Sequence, residues 1–191
     1  PYEYFNDFET EIKGWALDGD WEWGEPTSYS VPKAKSGTKI IGTKLSTYDT
    51  TDDLVSILRL PAIDLRDTNM KSASLQFAQW YDISNTHKAQ IMISTDEGEN
   101  WTELKEFNGK TGEWESVYVD LTHYIGNEEP VIIEFRFDTN ADYGYSIGWF
   151  IDDIVLAGED TTPPEIPTGL IVNTTTAGVE LSWNEVTDQD F

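Results

Sequence analysis

The strongest constraint on this chain is a strict two-residue alternation of apolar and polar side chains. From Val131 to Asp138, Val131, Ile133, Phe135 and Phe137 fall on one face while Glu134, Arg136 and Asp138 fall on the other, the pattern of a strand with one buried side. Similar short runs occupy 38–45, 54–60, 73–81, 89–94, 101–107, 116–121 and 147–156. Between them stand Asp-Leu-Arg-Asp-Thr-Asn at 64–69, Asp-Glu-Gly-Glu-Asn at 96–100, Asn-Gly-Lys-Thr-Gly at 108–112 and Gly-Asn-Glu-Glu-Pro at 126–130. These read as turns because Gly and Asn accept positive φ and Pro ends pairing. No segment sustains a 3.6-residue period. Short strands at this spacing predict an all-β protein, an antiparallel β-sandwich or jelly roll.

Charge narrows the partners. Acidic residues outnumber basic ones by 36 to 12, a formal charge of -24. Nucleic acid is excluded as a natural partner, because phosphate binding requires a surplus of Lys and Arg, and an anionic membrane surface is disfavoured. The acidity does not predict disorder, since 8 Trp, 9 Tyr and 8 Phe supply a substantial core. No apolar run approaches the length of a spanning helix, so no membrane insertion is expected. The absence of cysteine removes disulfides, thiolate metal sites and a cysteine nucleophile together. For such a chain the remaining staple is a hard cation held by carboxylates and carbonyls. A start at Pro1 reads as a processed product or a cut piece.

Composition shifts once, at 158–167, where Thr-Thr-Pro-Pro-Glu-Ile-Pro marks a stiff, extended linker. The predicted organisation is therefore a β-sandwich over 1–157, a linker over 158–167 and a further segment over 168–191. In that segment Pro167-Thr-Gly-Leu170 and then Val179-Glu-Leu-Ser-Trp183 resemble the first two strands of a fibronectin type III domain. Such a sandwich needs about 100 residues, so the second domain is expected to be incomplete.

Ser94-Thr-Asp96-Glu-Gly98-Glu-Asn-Trp101 fits the Ser-x-Asp-x-Gly-x-x-Trp pattern of an Asp-box. Asp96 is suited to bind loop amides, Gly98 to supply the unusual φ, and Trp101 to tuck back onto the next strand. It reads as a folding device more than as a site. At the two ends of the first domain stand Phe5-Asn-Asp-Phe8-Glu9, Gly14-Trp15 and Asp20-Trp-Glu-Trp-Gly24, and then Gly148-Trp-Phe-Ile-Asp-Asp-Ile-Val-Leu156. With Leu60-Pro-Ala-Ile-Asp-Leu65, this combination resembles the MAM-like jelly-roll domains, in the version found beside the catalytic domains of secreted bacterial peptidases of the immune inhibitor A and bacillopeptidase F type. The resemblance covers residues 5 to about 157 and lacks the cysteines of animal MAM domains. It implies jelly-roll topology, an extracellular or cell-surface location, and a catalytic domain in the same precursor.

The stretch from Ile147 to Leu156 is apolar apart from Asp152 and Asp153. Neighbours in a strand face opposite ways, so at least one of these carboxylates points to the apolar side. An unpaired buried charge is expensive. It requires either a cation, with Glu9 of the first strand and loop carbonyls completing the oxygen shell, or amide donors at a bulge and no metal. Related carbohydrate-binding jelly rolls use a first-strand glutamate and a last-strand aspartate for a structural Ca²⁺. By that resemblance Glu9 and Asp152 are the first candidates, with Asp153, Asp7 and Asp20 behind them.

No catalytic constellation emerges. The two histidines, His87 and His123, stand in polar stretches and read as surface residues; the zinc-protease signature His-Glu-x-x-His is absent. The fragment itself is expected not to be an enzyme, whereas its parent is expected to be a secreted peptidase or other hydrolase. Aromatic residues cluster at both ends, as Trp15, Trp21 and Trp23 and as Tyr143, Tyr145 and Trp149. Exposed, these rings would form a platform for sugar faces or for a protein patch; buried, they would be core. The function that results is a non-catalytic accessory module that stabilises, anchors, or binds an extracellular polymer or protein. The alternatives are a carbohydrate-binding module proper and a cell-surface adhesion module acting through protein contacts.

Overall fold

The alternating runs pair as antiparallel strands. A computed structural model describes residues 2–47, 55–139, 144–160, 168–175 and 178–184. Within these, the order is β1 (Tyr2–Asn6), β2 (Ala16–Leu17), β3 (Trp21–Gly24), β4 (Ile40–Thr43), β5 (Val55–Arg59), β6 (Met70–Ile83) and β7 (Lys88–Ser94). There follow β8 (Thr102–Phe107), β9 (Gly109–Lys110), β10 (Glu115–Asp120), a single 3₁₀ turn (Thr122–Tyr124), β11 (Ile132–Asp138), β12 (Gly148–Asp160), β13 (Ile171–Thr175) and β14 (Gly178–Ser182). The seven-stranded sheet runs β10-β6-β12-β4-β3, with β1 beside β12 and β9 beside the end of β6. The five-stranded sheet runs β2-β5-β11-β7-β8. The chain passes from one sheet to the other between β1, β2 and β3, between β4, β5, β6 and β7, between β8 and β9, and between β10, β11 and β12. This is the all-β antiparallel jelly-roll sandwich that the alternation and the resemblance predict.

Inward-facing residues of both sheets form one core. Leu75, Phe77, Val117, Val119, Ile154 and Leu156 meet Leu58, Ile91, Ile93, Ile133, Phe135 and Phe137, all buried. Trp149 sits among them, with ring centroids 5.3 Å from Phe135, 5.7 Å from Trp21 and 6.0 Å from Phe107. Its indole N–H donates to Gln79 Oε1 at 2.9 Å, and the Gln79 amide donates in turn to Glu115 at 2.7 Å, so a buried polar pair is satisfied. A second, smaller cluster of Val31, Ile40, Leu45 and Phe150 packs with Trp80 and Trp114. Phe150 alternates with Trp149 and Ile151 and pairs with Trp80, so this cluster lies on the outer side of the seven-stranded sheet. The segment 25–39 covers it like a strap.

Two boundaries differ from the sequence reading. β12 continues to Asp160, past residue 157, because Gly158, Glu159 and Asp160 still pair with β6. The 108–112 stretch, expected as loop, contributes β9, whose Gly109 and Lys110 pair with Ile83 and Asp82. Residues 161–167 of the linker lie outside the described residues. After them β13 and β14 form a two-stranded antiparallel sheet, with Ile171 opposite Ser182 and Thr175 opposite Gly178. Its Leu170, Val172, Val179, Leu181 and Trp183 are exposed.

Candidate functional site

The first and last strands are neighbours, with Tyr4 opposite Leu156 and Asn6 opposite Ile154. Just beyond β1 the chain turns at Phe8, whose φ is 61°, and presents Glu9 to the strap. Glu9 Oε1 accepts the amides of Thr38 at 2.9 Å and Lys39 at 2.7 Å, and Oε2 accepts the Thr38 hydroxyl at 3.2 Å. The amides of Lys39 and then Thr38 hold its carboxyl below the usual range. On β12 a register shift between Asp152 and Val155 marks a bulge, with Asp153 at φ 51°. Asp152, 0% exposed, accepts the amides of Lys35 at 2.8 Å and Ser36 at 3.2 Å through Oδ2, and that of Asp153 at 2.8 Å through Oδ1. Burial outweighs these bonds and pushes its carboxyl up to about 6, with the Asp153 carboxylate adding to the rise. Asp153 accepts the Ser36 hydroxyl at 2.6 Å. Carboxylates from both ends of the domain therefore clasp one short stretch, 35–39. Gly37 adopts φ +57° there, and an added Cβ would stand 2.2 Å from Glu9 Cδ, so only glycine fits beneath that carboxylate.

The remaining acid candidates separate. Asp7 Oδ1 accepts the Glu9 amide at 3.2 Å and shapes the same turn. Asp20 lies elsewhere: its carboxylate pairs with Lys44 at 3.2 Å and its amide donates to Ser56 Oγ at 3.0 Å, which ties β3 to β5. Among the described residues no group of three or more His, Cys, Asp or Glu side chains converges. The donors around 35–39 are hard oxygens of the kind Ca²⁺ takes, and the amides now facing those oxygens would have to turn aside to admit an ion.

The aromatic platform does not form from the residues expected. Trp15, Trp21 and Trp149 are buried in the core, because each occupies an inward position where a large apolar area is removed from water. Trp23 is half-buried; its indole donates to the Phe8 carbonyl at 2.8 Å and Lys39 Nζ lies 5.0 Å from its ring centroid. Tyr145 is exposed, and Tyr143 lies outside the described residues. His87 also departs from expectation, being buried against Phe137 with Nδ1 2.8 Å from Ser146 Oγ. His123 is exposed at the 3₁₀ turn, as expected.

A different aromatic residue reaches a polar surface. In the Ser94–Trp101 turn, Asp96 accepts the Asn100 amide at 2.9 Å and the Asn100 side chain at 2.7 Å, and Gly98 takes φ 94°. Asn100 is the main cause of a lowered Asp96 carboxyl. The Trp101 indole donates to the Gly98 carbonyl at 3.0 Å, which fixes the ring's edge to the turn. Its face then lies over the outer side of the five-stranded sheet, 5.7 Å from the Arg59 guanidinium and 5.5 Å from that of Arg136. Beneath, Glu134 is 1% exposed although it points outward. It accepts Arg136 at 2.8 Å through Oε2 and pairs with Arg59 through Oε1. Register places Arg59 and Met92 on either side of Glu134, and Ile57 and Gln90 on either side of Arg136. Gln90 in turn donates to Glu106 at 3.2 Å and also to Glu103.

This outer face combines a flat ring, two guanidiniums, an amide and carboxylates, the groups that stack on and hydrogen-bond to a polyhydroxylated or peptide surface. A buried carboxylate costs several kcal/mol unless paired, and Arg59 and Arg136 together supply that pairing. Sequence reading placed Glu134 and Arg136 on the polar face but gave them no role. Only register shows that Arg59, from a strand far away in sequence, meets Glu134. Trp101 was read as closing its own hairpin, and the structure extends it across two further strands.

No protein-family model matches the chain. Over 158 residues, 81% of its length, the chain is 34% identical to bacillopeptidase F of Bacillus subtilis (strain 168), of which it spans only 10%. Among solved structures it is similar to a xylan-binding domain from carbohydrate-binding module family 22, at TM-score 0.53 and 12% identity, covering 85% of this chain and 97% of that one. It is also similar to the K1 cleaved adhesin domain of Lys-gingipain from Porphyromonas gingivalis W83, at TM-score 0.54 and 14% identity, covering 82% and 98%. At these identities the likeness establishes the sandwich fold.

Proposed function

We propose that this chain is a non-catalytic accessory module of a secreted modular hydrolase, a peptidase of the bacillopeptidase F kind, and that it holds an extracellular polysaccharide through the outer face of its five-stranded sheet. The observation that carries this reading is the Trp101 ring set over Arg59, Glu134 and Arg136. The network holds the ring and both guanidiniums in place before any ligand arrives. The relative, of which this chain spans a tenth, supports a place beside a catalytic domain in an exported precursor. The xylan-binding neighbour supports a glycan ligand. The adhesin neighbour favours a second reading, contact with a protein surface by the same face.

The test is affinity electrophoresis of the whole chain through gels holding xylan, β-glucan or mannan. One of these retards the wild type, and Trp101→Ala abolishes the retardation while the chain stays folded; Arg59→Ala abolishes it too and also lowers the melting temperature, because the buried Glu134 then keeps only Arg136. Should Trp101→Ala migrate as the wild type does, or no gel retard the wild type, the glycan reading is wrong.

A structural Ca²⁺ is part of the proposal. Glu9 and Asp152 would hold it, with Asp153 and Asp7 nearby and carbonyls of the 35–39 stretch completing the shell; bound there, the ion would neutralise a buried carboxylate and tie the first strand, the last strand and the strap together. A ligand that binds only the folded state raises its stability. The melting temperature is therefore expected to rise with added Ca²⁺ and fall with chelator, more so in the wild type than in Asp152→Asn. A midpoint indifferent to both would remove the ion from the account.

A further inference from the structure

The outer side of the seven-stranded sheet is only half covered. The strap seals the part around Phe150 and Trp80, and beyond it register lines up one residue from each of four strands. Tyr118 of β10 stands opposite Gln76 of β6, Gln76 opposite Val155 of β12, and Val155 opposite Phe5 of β1. Their neighbours Val117, Val119, Leu75, Phe77, Ile154 and Leu156 point into the core, so alternation sends all four outward. Tyr118 and Phe5 are each 55% exposed. Three inter-strand steps of about 4.8 Å put their backbones roughly 14 Å apart. Ser74 and Ala78 flank Gln76 along β6 with small side chains, which keeps the floor between the rings low. At Phe5, on the edge of the sheet, the row meets a cleft of about 340 Å³ lined also by Tyr4, Asn6, Asp7, Thr10, Glu11 and Lys13.

We infer that this row is a second glycan-binding face, on which a neutral linear polysaccharide lies across the strands, its rings stacked on Tyr118 and Phe5, its hydroxyls on Gln76, and one end in the polar cleft. Several observations select that occupant. The row carries no charge, in a chain with 36 acidic residues, so its ligand is not recognised by ion pairing. A second copy of the chain would bring another -24 against the first, and the four residues of the row include no cation to offset it. A stable protein interface needs roughly 20–30 residues a side, and this strip offers far fewer. Two flat apolar rings with an amide between them suit the alternating apolar faces and hydroxyl edges of a sugar chain.

The inference goes beyond the Trp101 face and makes the module bivalent, one site on each outer sheet. Binding of soluble xylan, β-glucan and mannan oligosaccharides to the whole chain is measured by calorimetry, for the wild type, Phe5→Ala, Tyr118→Ala, Trp101→Ala and the Phe5/Trp101 double variant. The expected result is two sites per chain in the wild type. Phe5→Ala and Tyr118→Ala, both surface changes that leave melting unaltered, weaken one of them by roughly tenfold or more. Trp101→Ala removes the other, and the double variant keeps only the weakened site. Unchanged binding in Phe5→Ala and Tyr118→Ala overturns this second face while leaving the Trp101 face standing. Loss confined to those two variants has the opposite meaning. A wild type that binds none of the oligosaccharides, or that dimerises through Phe5 and Tyr118, also overturns the inference.

Discussion

At the scale of single residues, position in the sheet decides what an aromatic ring does. Trp149 is fully buried and hydrogen-bonded, whereas Tyr145, four residues earlier, is exposed. Trp149→Ala is predicted to cost about 3–5 kcal/mol in denaturant unfolding, and Tyr145→Ala less than about 0.5 kcal/mol. Sequence grouped these residues by proximity, because clustering is visible there and inward or outward direction is visible only inside an unbroken alternation. Asp96 yields a prediction of a different kind. Its carboxyl is held below the ordinary 3.8 by Asn100, so its contribution to stability is present above that value and is lost as pH falls through the lowered one. Asp96→Asn is therefore expected to shrink the drop in melting temperature on acidification below pH 3.8. An equal drop in the variant and the wild type would show that the turn does not depend on the charge.

At the scale of elements, the strap 25–39 is the part whose stability is most specific. It has no regular pairing of its own and is held by Asp152, Glu9 and Asp153 and by the Trp114 indole donating to the Lys33 carbonyl at 3.0 Å. Asp152→Ala leaves the Lys35 and Ser36 amides without their acceptor, a loss of about 1–3 kcal/mol. Amide hydrogen exchange is predicted to accelerate across 31–40 before it does in β6 or β11. Gly37→Ala should loosen the same segment through the clash with Glu9. Uniform acceleration over both sheets would instead mean that the strap and the sandwich open as one unit. The strands of the central core were legible because each carries four or more alternating residues between turn-formers. β2 and β9, each of two residues, left no period to read. The pairing of β1 with β12 was legible only as a consequence of jelly-roll topology.

At the scale of the whole molecule, the sandwich and the hairpin of β13 and β14 make unequal demands. Among the described residues neither core cluster contains one beyond Leu156, and an isolated two-stranded sheet is marginal in water. A chain ending at Asp160 is accordingly predicted to melt at the same temperature as the longer chain; a fall of several degrees would show that the hairpin supports the sandwich. The acidic composition points away from nucleic acid, and it leaves the proposed binding face undefined. That face rests on Arg59 and Arg136, two of only 12 basic residues, joined by strand register that no linear reading contains. Ligand is proposed to meet the outer sheet faces and not the tryptophans of the core. Nuclear magnetic resonance of the indole N–H signals tests it most directly, during titration with whichever polysaccharide retards the chain. The Trp101 signal is predicted to shift progressively while those of Trp15, Trp21 and Trp149 stay fixed. A titration that moves the buried indoles and leaves Trp101 in place would contradict the account.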